Sequence, residues 1–266
     1  MQISQQCIVL TGATGGIGQA LAMQLAQAGA NLILVGRDMV RLEQLAASLP
    51  AGSHQCWCAE LLEPHALQQF LARLNDYGQT HSINMVINNA GCQSLDLFCD
   101  HQSSDISRQL MLNVEVPMQI ALAAQQWLTS PGMLVNIGSV LAAIGMPGYS
   151  VYGASKAAMY RFSEALAREW SGSGRQVLYV APRATATTLN DARAQSMQQR
   201  LKQNVDSPEE VASIVLQAIK ANRSVRWIGW PERLFVLLNQ LRPSWVGREL
   251  VKQRSIIEPI LRQEKK

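Results

Sequence analysis

Apolar residues along this chain fall into two alternating patterns. Cys7-Ile8-Val9-Leu10 and Leu32-Ile33-Leu34-Val35 are short unbroken runs rich in branched residues, which read as buried strands. Between them Ile17, Leu21, Leu25 and Ala28 recur at helical spacing, and Gly29 closes the helix. This is one β-α-β unit. The alternation continues with a helix over 41–49 stopped by Pro50, a strand at 55–59, a helix over 64–74 and a strand at 85–88. A long helix from Ser104 through Pro117 and beyond, a strand at 133–137, a helix over 152–170 and a strand at 177–180 follow. Ser207-Pro208-Glu209-Glu210 then supplies an N-cap, a Pro at the first helical position and acidic first-turn residues for a helix reaching Lys220. Strands without polar alternation need cover on both faces. The pattern therefore predicts an α/β fold with a doubly wound parallel sheet, carried by residues 1–221. In such folds ligands bind beyond the strand C-termini, where the strand order reverses.

Residues 222–266 depart from the alternation. Leu234, Leu237, Leu238 and Leu241 repeat at helical spacing after Pro231, with Phe235 beside them, until Pro243 breaks the run. Trp245, Val246, Leu250, Val251 and Ile256 form a second such segment. Trp227, Trp230 and Trp245 are half of the six tryptophans. The expectation is an amphipathic, basic helical extension. Three readings stand side by side: packing on its own fold or an oligomer interface, contact with a membrane surface, and docking of an acidic partner such as an acyl carrier protein.

Composition narrows the class. With 266 residues, 48% hydrophobic and 16% charged, the chain can bury one sizeable core but not two comfortable domains. The net charge of +4 is unevenly spread: from Lys220 onward eleven Lys/Arg face four Glu, so the rest of the chain is net acidic. No basic patch on the main domain suggests nucleic acid. Cys7 to Leu10 is too short for a signal-peptide core, and no apolar stretch approaches the ~20 residues of a membrane span, so the expected location is the cytoplasm, with membrane-peripheral contact under the second reading of the tail. Five cysteines without a secretion signal read as free thiols, and neither Cys56-x-Cys58 nor the four histidines has metal-ligand spacing.

The candidate chemistry lies in two places. Thr11-Gly12-Ala13-Thr14-Gly15-Gly16-Ile17-Gly18 joins the first strand to the first helix. Glycines there let the backbone approach a pyrophosphate, which the unpaired N–H groups and partial positive charge of a helix N-terminus attract. The second strand ends Val35-Gly36-Arg37-Asp38, with no acidic residue at its tip for a ribose 2′-hydroxyl. Arg37 instead suits a 2′-phosphate, through charge-assisted bonds of about 1.5–3 kcal/mol. Further on, Tyr152-Gly153-Ala154-Ser155-Lys156 places a phenol and an ammonium on one helix face, at i and i+4. A phenol titrates near pH 10, and an ammonium ~4 Å away contributes about 4 kcal/mol at an effective dielectric of ~20, roughly three pK units. Lys156, helped by the positive charge of an oxidised nicotinamide, would thereby bring Tyr152 toward neutrality as an acid–base group, and Ser139 would hydrogen-bond the same substrate oxygen.

Gly12-x3-Gly16-x-Gly18 resembles the TGxxxGIG motif of the short-chain dehydrogenase/reductases, and Asn88-Asn89-Ala90-Gly91 is similar to their NNAG. Ser139, Tyr152 and Lys156 stand in the family's Ser-x12-Tyr-x3-Lys order, with Asn113 as its fourth member. The resemblance runs from about Gln5 to Leu189. It implies a single-domain Rossmann-like fold, NADP(H) as cofactor and a metal-free hydride transfer between the nicotinamide and a carbonyl or secondary alcohol, by Asn113, Ser139, Tyr152 and Lys156. Asn113 would hold a water that relays protons to Lys156, which would also bind the nicotinamide ribose. Implied cofactor contacts are Gly12, Thr14, Gly15, Gly16, Ile17, Gly18, Arg37, Glu60, Leu61, Asn89, Ala90, Gly91, Tyr152, Lys156, Pro182, Thr185 and Thr187. Glu60-Leu61 stands where relatives have Asp-Val, and many NADP-using relatives carry a second basic residue where this chain has Gly15. Arg183 replaces a glycine after the sixth strand, and faces the substrate mouth or an anionic substrate group, or points to solvent. Residues 187–205 correspond to a mobile lid. The resemblance also implies a homo-oligomer. Two alternatives remain: a 3-oxoacyl reductase of carrier- or CoA-linked, lipid-like chains, and a non-catalytic NADP(H)-binding sensor or scaffold.

Overall fold

The computed structural model describes residues 2–263. Met1 and residues 264–266, the last of the basic tail, lie outside the described residues. The strands are β1 (Cys7–Thr11), β2 (Asn31–Gly36), β3 (Gln55–Cys58), β4 (Ile83–Asn88), β5 (Leu128–Ile137), β6 (Arg175–Ala181) and β7 (Val225–Trp227). They form one sheet in the order β3-β2-β1-β4-β5-β6-β7, with every neighbouring pair parallel. The strand order reverses between β1 and β4, so a crevice opens above their C-terminal ends.

The helices are α1 (Gly16–Gln27), α2 (Met39–Ser48), α3 (Pro64–Thr80), α4 (Ser103–Leu110), α5 (Val116–Trp127), α6 (Ser150–Glu169), α7 (Ala192–Arg200), α8 (Pro208–Lys220), α9 (Trp230–Leu241) and α10 (Pro243–Gln263). Strand side chains point alternately to the two faces of the sheet. Ile8 and Leu10 pack with Leu21 and Leu25 of α1 and Val211, Val215 and Ile219 of α8. Val9 between them packs with Leu67, Phe70 and Leu74 of α3 and Ile120 of α5. Both faces of β1 are thus dry, which is why its sequence shows no alternation. At the start of α8, Ser207 and Glu210 close the reciprocal capping box that their spacing predicts.

Several boundaries differ from the sequence expectation. The long helix after β4 is α4 and α5 joined by a π-helical turn at Met111–Glu115, centred on Asn113. Helix α3 runs past Leu74 to Thr80 because its polar last turns still find partners: Asn75 accepts from the Trp127 indole at 2.8 Å, and Tyr77 packs edge-on against Trp57. Helix α7 forms within the polar segment expected as a lid, its N-terminus capped by the Asp191 carboxylate. The extension expected at 222–266 contributes β7 to the sheet edge, where Tyr179 pairs with Val225. The same segment then folds back over the sheet's C-terminal edge. Ile257, Ile260 and Leu261 of α10 pack with Leu95, Tyr149, Met197 and Tyr152, and Asn239 of α9 donates to the Ala143 carbonyl at 2.8 Å.

Arg183 borders the cavity beside Ser139 and Tyr152, as one of its readings expected, but it is neither turned to solvent nor free to bind an anion. Its guanidinium grips Asp206 in a two-nitrogen contact at 2.6 and 2.9 Å and reaches Glu232 at 3.4 Å. The first pair is largely buried, and it ties the loop after β6 to the strap before α8. Glu232 adds α9 to the same knot. Asp206→Ala removes the better partner and leaves a half-satisfied guanidinium. It is expected to cost about 2–3 kcal/mol and to lower the melting temperature by about 5 °C, with Glu232→Ala costing less. Thermal denaturation followed by circular dichroism checks both the loss and its order.

Candidate active site

The crevice is built from backbone first. Gly12 has φ of +63°, and a Cβ there would sit 2.8 Å from Ala90 Cα, so only glycine fits. The buried Thr11 hydroxyl accepts from the backbone N–H of Asn89 and of Ala90, both at 3.1 Å. The Asn89 amide returns two bonds to the Thr11 and Gly12 carbonyls. The glycine turn and the loop after β4 are therefore one latched unit. Gly15 caps α1 without any side-chain bond among the described residues, so the first-turn N–H groups face the crevice.

Two cavities meet above this unit. One, of about 470 Å³, is lined by Gly12, Thr14, Gly15, Gly16, Ile17, Gly18, Arg37, Glu60, Leu61, Asn89, Ala90, Gly91, Tyr152, Lys156 and Thr187. The other, about 380 Å³, is lined by Ser139, Leu141, Met146, Tyr149, Tyr152, Pro182, Thr185, Leu189, Phe235 and Val246, among others. Tyr152 belongs to both. Every residue singled out for the cofactor thus borders one cavity or the other. Asn113 borders neither. It lies behind the wall, where its carbonyl oxygen accepts from Cys92 N–H at 2.9 Å and its amide donates to the Cys92 carbonyl and to Ser155. Its side chain pins the loop after β4 to α6, and the π-helical turn around it gives the backbone the room to reach both.

Tyr152 and Lys156 are both buried on the face of α6 that meets β5. The Lys156 Nζ donates to the Ile137 carbonyl at 3.2 Å and stands 5.6 Å from the centre of the Tyr152 ring. Burial pushes the Tyr152 phenol up to about 12, against the opposing effect of a hydrogen bond with Ser139. Burial also lowers the Lys156 ammonium to about 8. Without nucleotide, burial sets both groups, and the expectation that Lys156, helped by the positive charge of an oxidised nicotinamide, draws Tyr152 toward neutrality concerns the loaded site. Desolvation penalises phenolate and ammonium together. Tyr152 accordingly holds its proton at neutral pH.

Two residues escaped the sequence reading. Tyr179 on β6 is fully buried; its hydroxyl accepts from Ser139 N–H at 3.3 Å and donates to the Lys156 carbonyl at 3.2 Å. It is a positioning residue that sets β5 against α6, and only its polar tip within the apolar run 177–180 hinted at it. Arg41 lies four residues beyond Arg37, and its guanidinium donates to the Thr14 carbonyl at 3.0 Å, next to Gly15. It brings a second cation to the place where relatives carry one in the glycine turn. Arg37 itself is exposed and rests 3.8 Å from Glu60. The segment before α7 is tethered: Gln93 donates to the Leu189 carbonyl and Asn190, and Asn190 donates to the Thr185 carbonyl at 2.7 Å.

These features fit a dinucleotide. The glycine cradle would take the pyrophosphate on the uncapped end of α1, Arg37 and Arg41 flank the end of the cleft beside β2, and Tyr152 and Lys156 flank the other end. The sequence matches the model of the short chain dehydrogenases over residues 6–198. It is 30% identical over 211 residues to carbonyl reductase family member 4 of Danio rerio, covering 78% of this chain and 88% of that protein. A short-chain dehydrogenase from Sphingobium yanoikuyae in complex with NADPH superposes with a TM-score of 0.77 at 30% identity, over 91% of this chain and 95% of that one. A short chain dehydrogenase/reductase from Burkholderia phymatum in complex with NAD shares the fold, with a TM-score of 0.80 at 18% identity over 92% and 96% of the two chains.

The buried lysine has a measurable signature. Its folded pKa of about 8 lies below the ordinary ~10.4, so between those values the unfolded chain binds more protons than the folded one. Wild-type stability should therefore rise with pH across that window relative to Lys156→Met. Without added nucleotide, Lys156→Met is expected to be at least as stable as wild type at pH 7, with an advantage of up to about 3 kcal/mol that shrinks toward pH 10. Urea denaturation of both proteins at several pH values measures the difference.

Proposed function

Because the chain belongs to the short chain dehydrogenase family, we propose that it is an NADP(H)-dependent oxidoreductase of carbonyl and secondary alcohol compounds, working through Ser139, Tyr152 and Lys156. The observation that carries this reading is the position of Tyr152, on the wall shared by the glycine-lined cleft and the apolar cavity. A nicotinamide held by the glycine cradle, Tyr152 and Lys156 would supply the hydride in reduction and accept it in oxidation. Tyr152, protonated at neutral pH, donates its proton to the carbonyl oxygen as that oxygen gains charge. Ser139 hydrogen-bonds the same oxygen and stabilises the developing charge. Lys156 steadies the phenolate left behind and holds the nicotinamide ribose. Asn113 acts through position, fixing the loop after β4 to α6 beneath Lys156.

The NADP preference rests on two arginines and the lack of an acid at the tip of β2. Glu60 competes for Arg37, but Arg41 has no carboxylate partner among the described residues and is turned toward the glycine loop. The second cavity speaks for an uncharged, apolar substrate. Arg183 lines it, yet its charge is spent on Asp206 and Glu232, so it is no free cation for a substrate carboxylate. Family membership supports a homo-oligomer formed through the helices after β4 and β5, and the exposed Leu110 and Leu122 lie on that surface.

Fluorescence titration with NADPH and NADH, on wild type, Arg37→Ala, Arg41→Ala and the double variant, tests the cofactor assignment. NADPH should bind more tightly, each single change should weaken it about tenfold, and NADH should be little affected. Equal affinity for the two nucleotides would sink the NADP reading. A carbonyl panel with NADPH, repeated on Tyr152→Phe, tests the chemistry. Tight NADPH binding with no turnover of any carbonyl would favour the sensor or scaffold instead.

A further inference from the structure

Helix α9 is amphipathic the wrong way round for a helix on a protein surface. Trp230, Leu234, Leu237 and Leu241 recur at i, i+4, i+7 and i+11, one continuous stripe, and all four are exposed, Trp230 by 75% and Leu241 by 67%. Two of its polar residues are turned inward beside the buried Val236: Glu232 binds Arg183 and Asn239 binds the Ala143 carbonyl. Helix α10 is apolar on both sides. Its inner face buries Val246, Ile257 and Leu261, while Trp245 and Ile256 are exposed on the other side, with Arg248 and Lys252 beside them.

Charge says what covers this face. The acids of the two helices are already spent: Glu232 on Arg183, Glu249 on Lys252, Glu258 on Arg254 and Arg262. Arg223 and Arg233 stand near enough to Arg226 that, after its own burial, their charges lower the pKa of its guanidinium, and Arg233 also donates to the Trp227 carbonyl at 2.9 Å. No carboxylate pairs with these three among the described residues. An apolar stripe rimmed by unneutralised cations and tryptophan is complementary to a bilayer with anionic headgroups, where rings sit at the interface and guanidinium groups meet phosphates. A second copy docking the same face by two-fold symmetry would bring two such arginine clusters together within a Debye length.

We propose that the outer face of α9 and α10 seats the protein on an anionic membrane surface, with the mouth of the apolar cavity turned toward the lipid. Pro231 and Phe235 line that cavity and are exposed as well, so its opening lies on the helix that carries the stripe. Among the described residues no helix is long and apolar enough to cross a membrane, and the contact is peripheral. The substrate is then a lipid-soluble ketone or alcohol that enters from the bilayer. This second part rests on the oxidoreductase reading; the seating does not.

Co-sedimentation of the full chain with vesicles tests the seating. Wild type should bind vesicles of equal parts phosphatidylcholine and phosphatidylglycerol, and about tenfold less to pure phosphatidylcholine. Trp230→Gln/Leu234→Gln/Leu237→Gln in one chain, and separately Arg223→Gln/Arg226→Gln, should each lower binding to the mixed vesicles about tenfold or more, with melting temperature and NADPH binding retained. Absence of vesicle binding, or binding indifferent to both sets of changes, overturns the proposal. So does self-association that the triple change abolishes in a chain that ignores vesicles. For the substrate, the triple change should raise KM for a long-chain ketone presented in vesicles and leave KM for a short water-soluble ketone alone. Equal effects on both would refute entry from the lipid while leaving the seating intact, and failure of both ketones would fall on the oxidoreductase reading.

Discussion

The contact between the end of β1 and the loop after β4 is the constraint on which the rest depends. One hydroxyl, that of Thr11, takes two backbone N–H groups of Asn89 and Ala90, and one missing Cβ, that of Gly12, lets the strands' ends come within van der Waals reach. Without that approach the crevice at the strand reversal would have no floor. The N-terminus of α1 would not point at the same space as Tyr152, and the two cavities would not meet. Thr11 is buried and shares its oxygen with donors that otherwise have no regular partner, so its loss would leave unsatisfied backbone inside the protein.

A second layer of polar ties holds the reactive groups to this floor from behind. Asn113 fastens the loop to α6, Tyr179 fastens β5 to α6, and Asn88, Asn136 and Ser163 form a buried chain of hydrogen bonds across β4, β5 and α6. Each tie ends within a turn or two of Ser139, Tyr152 or Lys156. The cost is two buried ionisable groups, each held away from its ordinary pKa by lost hydration. That cost is also the chemical asset. A phenol that keeps its proton and a lysine near its own titration point are poised for transfer once substrate and nucleotide supply the missing charges.

What the sequence disclosed follows from how each feature is encoded. Features that depend on neighbours in the chain were legible: the strand–turn–helix of the glycine loop, the i and i+4 pairing of Tyr152 with Lys156, the capping box at Ser207 and Glu210. Features that depend on residues distant in the chain were not. The roles of Tyr179 and Arg41 arise from partners 23 to 40 and 27 positions away, and no local period marks them. β7 has three residues, too few for a pattern, and forms because β6 offers it an edge. The lid reading of 187–205 missed α7, whose buried residues are only Ala194, Met197 and Gln198, one of them polar. Arg183 looked like an intruder in a glycine position. Its partners Asp206 and Glu232 lie 23 and 49 positions on, and together the three replace a flexible turn by an ionic clamp.

That clamp explains why the tail cannot be treated as an appendage. Glu232 is on α9, Asp206 precedes α8 and Arg183 follows β6, so the helix with the exposed apolar stripe is wired to the loop that walls the substrate cavity. Displacing α9 would pull on Glu232, loosen Arg183 and disturb Pro182 and Thr185 beside Ser139 and Tyr152. The segment therefore has one face committed to the cavity and one face left apolar toward the outside. A helix under selection only for packing would be expected to place its leucines inward and its glutamate outward, and α9 does the reverse. The inversion becomes intelligible if the outside of this helix meets something as apolar as the inside of a protein.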